Sequence, residues 1–121
     1  MRTFIVFGAI SAATSVAVGA FGAHGLRGKI SDEMLTVFET GARYQMYHAL
    51  GLILIGLYAT ERSHTLLTSS GWLMVAGTVL FCGSLYGLAL GGPKILGPIT
   101  PLGGLSFMIA WGLFAFVALR T

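Results

Sequence analysis

The chain has 121 residues, of which 55% are hydrophobic and only 9% charged, with a formal net charge of +3. Globular chains carry about 25% charged residues, so this one cannot cover a water-facing surface, and a mean hydropathy of +0.86 fits an exterior made of lipid. Its few basic residues form no stripe and no loop aromatics accompany them, which argues against a nucleic-acid interface. The single cysteine, Cys82, has no partner for an internal disulfide.

Residues 3–23 are an uncharged run of apolar and small side chains, about the length that crosses a roughly 30 Å hydrocarbon core as a helix. Arg2 in front and Ala17-Val18-Gly19-Ala20 near its end give it some likeness to a signal peptide. Three further apolar runs follow, so it reads as a retained first helix. Small residues recur four apart at Ser15, Gly19 and Ala23, and at Gly8 and Ala12, the spacing that lets helices approach closely in lipid.

His24-Gly25-Leu26-Arg27-Gly28-Lys29 ends that helix with glycine and basic residues. Ser31 is placed to cap the next one, with Asp32 and Glu33 in its first turn. Met34, Leu35, Phe38 and Ala42 share a face, which predicts a short amphipathic helix over 32–42 lying at the membrane interface. A polar loop of marginal helicity is the simpler alternative. A second span is expected over 44–59, stopped by Thr60-Glu61-Arg62-Ser63-His64, and a third over 66–90 with Trp72 near its start. Within the third, Gly83, Gly87 and Gly91 lie four apart, a helix-packing pattern shared by Gly19 in the first. The fourth span is expected over 101–119, with Thr100 as cap, Pro101 in the first turn and Trp111 in the core.

The ionisable and hydrogen-bonding side chains concentrate in one stretch, Phe38 to Gly51. Glu39 and Arg43 stand in the favourable i, i+4 order. Tyr44 and His48 repeat that spacing, and Gln45 can point the same way. Such groups in lipid must face protein, headgroups or water. The set Glu39, Arg43, Tyr44, Gln45, Tyr47 and His48, with His24 beside it, suits a polar pocket for a lipid headgroup or small polar ligand. It equally suits an interfacial ion pair between Glu39 and Arg43, with Tyr44, Tyr47 and His48 as belt and packing residues. His24, His48 and Glu39 lack the tight spacing of a metal site, so no metal or cofactor is expected. Ser84, Tyr86 and Thr100 read as hydrogen-bonding residues between helices. No span presents a nucleophile and a base at a recognisable spacing, so the chain reads as non-enzymatic.

Four segments carry a further pattern: Gly19-Ala20-Phe21-Gly22-Ala23-His24-Gly25-Leu26; Phe38-x-Thr40-Gly41-x-x-Tyr44-Gln45-x-Tyr47-His48-Ala49-Leu50-Gly51; Gly83-Ser84-Leu85-Tyr86-x-Leu88-Ala89-Leu90; and Ile99-Thr100-Pro101-Leu102-Gly103-Gly104. Over nearly the whole chain and in this order, they resemble the small membrane-protein family that includes bacterial YgdD and YwdK and eukaryotic transmembrane protein 256. The resemblance implies four membrane helices and a bacterial-type plasma membrane, and it supplies no reaction or ligand.

The fold expected is all-α, an integral-membrane four-helix bundle in a single domain over 1–121. Arg2, Arg62 and Arg120 on one side face Arg27, Lys29, Arg43 and Lys94 on the other, too even a split to orient it. Membrane lipids are the expected partners. The alternative is an oligomeric transporter or channel subunit, with Gly83, Gly87 and Gly91 as the face joining copies of the chain into a homo-oligomer.

Overall fold

The computed structural model describes residues 2–121. Four helices account for nearly all of them: α1 (Arg2–Leu26), α2 (Asp32–Glu61), α3 (Thr65–Ala89) and α4 (Leu96–Arg120). The last five residues of α1, Gly22–Leu26, form a π-helical turn, and a second one, Thr78–Cys82, interrupts α3. By length and composition α1, α3 and α4 can each cross a membrane. The connections are short, and two of them turn on glycines with positive φ, Gly28 and Gly91. Left-handed backbone of that kind is open to glycine at no steric cost.

Ser31 caps α2 as its sequence context predicts: its Oγ accepts from the Met34 N–H at 3.1 Å. The structure differs from expectation just beyond. Residues 32–42 are not a separate interfacial helix, because Asp32–Glu61 is one helix of 30 residues. No proline breaks it, and the apolar face of its first three turns has no freedom to lie on a membrane surface. Leu35 and Phe38 are buried with Leu26 of α1 and Ala89 of α3, and Val18, Ile30 and Tyr86 pack around them. Gly41, the weakest helix former there, is held where a Cβ would stand 2.6 Å from the Tyr86 ring.

The fourth helix also starts earlier than its prolines suggest. Leu96, not Pro101, opens it. Pro98 falls in the first turn, where N–H groups have no helical partner to lose. Thr100 is therefore inside the helix, and its hydroxyl pairs with Ser84 Oγ at 2.6 Å and donates to the Leu96 carbonyl at 3.2 Å. Besides Ser31, the residue whose side chain caps a helix is His64, whose Nδ1 accepts from the Leu66 N–H.

Helices pack in two antiparallel pairs along seams spaced three and four residues apart, the period of knobs-into-holes packing. In α2 the seam toward α1 is Phe38, Ala42, Gln45, Ala49, Leu52, Gly56 and Ala59, all buried. In α1 it holds Gly8, Ser15 and Gly22, seven apart. The α3–α4 seam brings Ser70 to Ala110, Leu73 to Ser106 and Phe81 to Gly103. One apolar cluster, including Phe4, Ile55, Leu67, Met74, Ala110 and Val117, fills the end nearer the termini. The Leu35–Phe38 cluster fills the loop end.

Small residues make these approaches possible, although at only some of the positions singled out from spacing. A Cβ on Gly8 would lie 2.7 Å from the Ala49 carbonyl, and one on Gly103 would lie 2.3 Å from the Phe81 backbone nitrogen. By contrast, no atom lies within 4 Å of a Cβ built on Gly19 or Gly83. Gly87 meets only the tip of Leu96, and Gly91 is a turn residue. The four-residue repeat marks a helix stripe, but it cannot say which stripe meets backbone. Trp111 likewise lies against Gly51 at the edge of the core, 39% exposed.

Gly103→Ala is expected to lower stability in detergent by about 1–3 kcal/mol, the usual result of overpacking. Gly112→Ala, where a Cβ meets nothing within 4 Å, is expected to leave stability unchanged or raise it by up to about 1 kcal/mol. Thermal unfolding followed by circular dichroism compares the two.

Candidate functional site

Between the two apolar clusters runs a polar layer, and α2 organises it. A helix turns 100° per residue, so neighbours in the stretch 39–48 must point in different directions. The expected constellation therefore divides. Gln45 and His48 are buried, each 6% exposed, whereas Arg43, Tyr44 and Tyr47 face outward and Glu39 is half-buried.

Gln45 is the centre of the inward group. Its Nε2 donates to the Ser11 carbonyl at 3.0 Å, and its Oε1 accepts from the Tyr86 hydroxyl at 2.6 Å. The Ser11 carbonyl can only accept, so the amide has one orientation. Four residues along α1, Ser15 Oγ donates to the Ala42 carbonyl at 2.7 Å. Each helix of the α1–α2 pair thus donates a side-chain hydrogen bond to the other's backbone. The α3–α4 pair repeats the device: Ser70 Oγ donates to the Ala110 carbonyl at 2.6 Å, and Ser106 Oγ to the Leu73 carbonyl at 2.7 Å. Among the described residues, no fully buried side-chain nitrogen or oxygen lacks a partner.

His48 faces α4. Its Nδ1 lies 2.8 Å from the Tyr44 carbonyl, an acceptor, so Nδ1 carries a proton. The ring lies flat on Phe107, with centroids 3.4 Å apart and planes within 9°, and Trp111 flanks it at 5.8 Å. This histidine is a packed side chain between helices.

The outward group lies on another face of α2. Arg43 donates to the Thr40 hydroxyl at 3.3 Å, so the expected ion pair with Glu39 gives way to a bond within the same helix. Helical side chains lean toward the N-terminus, which carries the guanidinium toward the loop end. Tyr44 and Tyr47 pack edge to face at 5.5 Å, and Tyr44 also touches Phe81 of α3. Further along this face Leu50, Leu54 and Leu57 are exposed.

His24 stands apart from both groups, exposed in the π turn of α1. His48 lies 16 residues into α2, about 24 Å along its axis at 1.5 Å per residue. No three His, Cys, Asp or Glu side chains come together as a metal-binding group among the described residues. Ser84, Tyr86 and Thr100 bond between helices as their residue types suggest. Ser11, Ser70 and Ser106 are the participants that sequence spacing did not single out, and Ser15 is marked by it only as a small packing residue. Their one signal is a hydroxyl at a three-or-four-residue seam position.

Comparison with known proteins places these residues in a family context. A family described as "Protein of unknown function (DUF423)" matches residues 18–104. The chain is 51% identical over 121 residues to the UPF0382 membrane protein YwdK of Bacillus subtilis, covering 99% of this chain and 98% of the relative. It is 48% identical over 120 residues to UPF0382 membrane protein SERP0230 of Staphylococcus epidermidis, with coverage of 99% and 98%. With UPF0382 membrane protein SH2409 of Staphylococcus haemolyticus it shares 51% identity over 111 residues, 92% of this chain and 90% of that one. No solved structure matches the chain.

Truncating Gln45 to leucine leaves the Tyr86 hydroxyl without its acceptor, and is expected to cost about 1–3 kcal/mol of stability. Adding Tyr86→Phe removes the orphaned group and is expected to recover part of that loss, because deleting both partners is milder than deleting one. Unfolding of both single variants and the double variant in micelles reads the coupling.

Proposed function

The chain belongs to the DUF423 family of small membrane proteins of unknown function, and from that premise we propose that it holds an anionic lipid headgroup at the loop end of its four helices, with Arg43 as the contact. It does so as a multi-pass protein of a bacterial-type plasma membrane. The observation that carries this reading is the state of Arg43: exposed, turned toward the loop end, and bonded to a neutral hydroxyl instead of a carboxylate.

One face of α2 then matches a lipid from head to tail. Thr36, Thr40 and Arg43 stand where headgroups lie, with Tyr44 and Tyr47 next, at the level favoured by interfacial aromatics. Leu50, Leu54 and Leu57 follow where acyl chains run. The first three turns of α2, 32–42, form the interfacial part of this face while their other side packs against α1 and α3. An arginine placed inside the end of a span reaches the interface by snorkelling, its stem lying along apolar surface. Gln45 and His48 are left out of this site, since both face other helices.

The alternative, a subunit of an oligomeric transporter, asks for an open face of small residues. Gly83 is open, but Gly87 is covered by Leu96 of the same chain and Gly91 lies in the turn, so the three do not form one continuous open helix face. That favours the lipid reading.

A basic side chain near an anionic membrane surface contributes about 1 kcal/mol, about a fivefold change in affinity. Native mass spectrometry of protein reconstituted with phosphatidylglycerol and phosphatidylcholine measures it. Phosphatidylglycerol is expected to stay bound to the wild type and to Arg43→Lys, and to be retained about fivefold less by Arg43→Ala. Equal retention by wild type and Arg43→Ala overturns the proposal.

A further inference from the structure

On the side of α2 away from Arg43, α1 and α3 touch at one end and then part. Phe4 of α1 fills the space above Gly71 and stacks edge-on against Trp72 at 5.2 Å. Beyond that contact a groove of about 410 Å³ opens between the two helices, floored by α2. Phe7, Ile10, Ser11 and Thr14 form one wall and Val75, Thr78 and Val79 the other, with Gln45 and Leu52 beneath. Its size lies in the range of small-molecule pockets, about 300–1,000 Å³.

The groove lies deep in the apolar zone. Ser11 is about 13 Å from one end of α1 and about 22 Å from the other, at 1.5 Å per residue, and Thr78 is near the middle of α3. Both positions are inside a hydrocarbon layer of roughly 30 Å, below the level of phospholipid headgroups. No charged side chain lines the groove.

Its polar groups are unevenly satisfied. The Thr14 and Thr78 hydroxyls donate back to the carbonyls of Ile10 and Met74, each at 2.9 Å. The Ser11 hydroxyl makes no hydrogen bond among the described residues. The Gln45 amide carries two N–H bonds and spends one on the Ser11 carbonyl. Ser11 and Gln45 therefore leave two donors, an O–H and an N–H, on adjacent groups in a place without water, where an unpaired polar group is costly. The Tyr86 bond to Oε1 holds the amide in this sense.

We propose that this groove binds a neutral lipophile whose carbonyl oxygen lies within the hydrocarbon layer, the chemistry of a prenylated quinone. The ring carbonyl accepts from Ser11 and Gln45, Phe7 lines the ring's edge, and the tail leaves between Ile10 and Val79 into lipid. A diacyl phospholipid does not meet the requirement, because its ester carbonyls lie at the boundary of the hydrocarbon. This site shares no residue with the Arg43 face, so either can fail without the other.

Trp72 reports on the groove, since its ring is 6.1 Å from Phe7, and Trp111→Phe leaves it as the sole tryptophan of the two in the chain. The experiment titrates decylubiquinone into phosphatidylcholine nanodiscs carrying that variant and follows quenching of Trp72. Saturable quenching at one equivalent per chain is expected. Adding Ser11→Ala is expected to weaken it about three- to tenfold, within the effect of a single hydrogen bond. Val79 is 66% exposed at the mouth, so Val79→Phe closes the groove without entering the core, and is expected to abolish the saturable component at unchanged melting temperature. Ile10→Phe, from the other wall, is expected to do the same. Quenching that rises linearly with the quinone-to-lipid ratio, or that saturates equally in all variants, overturns the proposal. So does displacement by decylbenzene, which fills apolar space but offers no acceptor, at the same concentration as unlabelled quinone.

Discussion

Every backbone carbonyl and polar side chain that faces neighbouring helices in hydrocarbon must find a partner there, and this constraint governs how the four helices are joined. Apolar contact alone gives little preference for one helix register over another in lipid, because the surrounding tails are as apolar as leucine. The seams instead carry directed bonds. Ser15 to Ala42 and Gln45 to Ser11 link α1 with α2. Ser70 to Ala110 and Ser106 to Leu73 link α3 with α4. Each bond ties one side chain to one carbonyl, so a slip of either helix by a turn breaks two at once. Tyr86 to Gln45 then couples the pairs to each other.

These bonds also explain where the small residues fall. A serine hydroxyl is short, so its helix must come close for the Oγ to reach a carbonyl on the other. Gly8 lies seven residues from Ser15 on the same seam, and Gly77 lies seven from Ser70. A Cβ at Gly8 would collide with Ala49 and Ile53, and one at Gly77 with the Phe107 ring. Phe107 in turn supplies the surface on which the His48 ring lies. The polar layer and the close packing are thus one arrangement.

The same geometry separates two environments on α2. Arg43, Tyr44 and Tyr47 are exposed on one face, while Gln45 floors a groove on another. Both are consequences of one helix running past the interface without a break. Had 32–42 lain flat on the membrane, Phe38 could not pack beneath Gly22, and the amide of Gln45 would lose the depth at which Ser11 meets it.

The membrane class, the all-α fold, the cap at Ser31, the polar break that begins at Thr60 and the concentration of hydrogen-bonding side chains around Gln45 follow from the sequence by itself. Charge density, span length and capping are properties of the chain read locally, and they need no knowledge of what packs where. The tertiary structure alone decided that 32–61 is one helix, since Gly41 and Phe38 are held helical by Tyr86 and Gly22. It alone divided Arg43 from Gln45 and His48, and put His24 far from His48. Of the glycines marked by spacing it alone kept Gly8 and set aside Gly19 and Gly83 as close contacts, and it added Gly103. In each case the deciding quantity is the direction in which a residue faces a particular neighbour, and spacing along one helix leaves the neighbour unspecified.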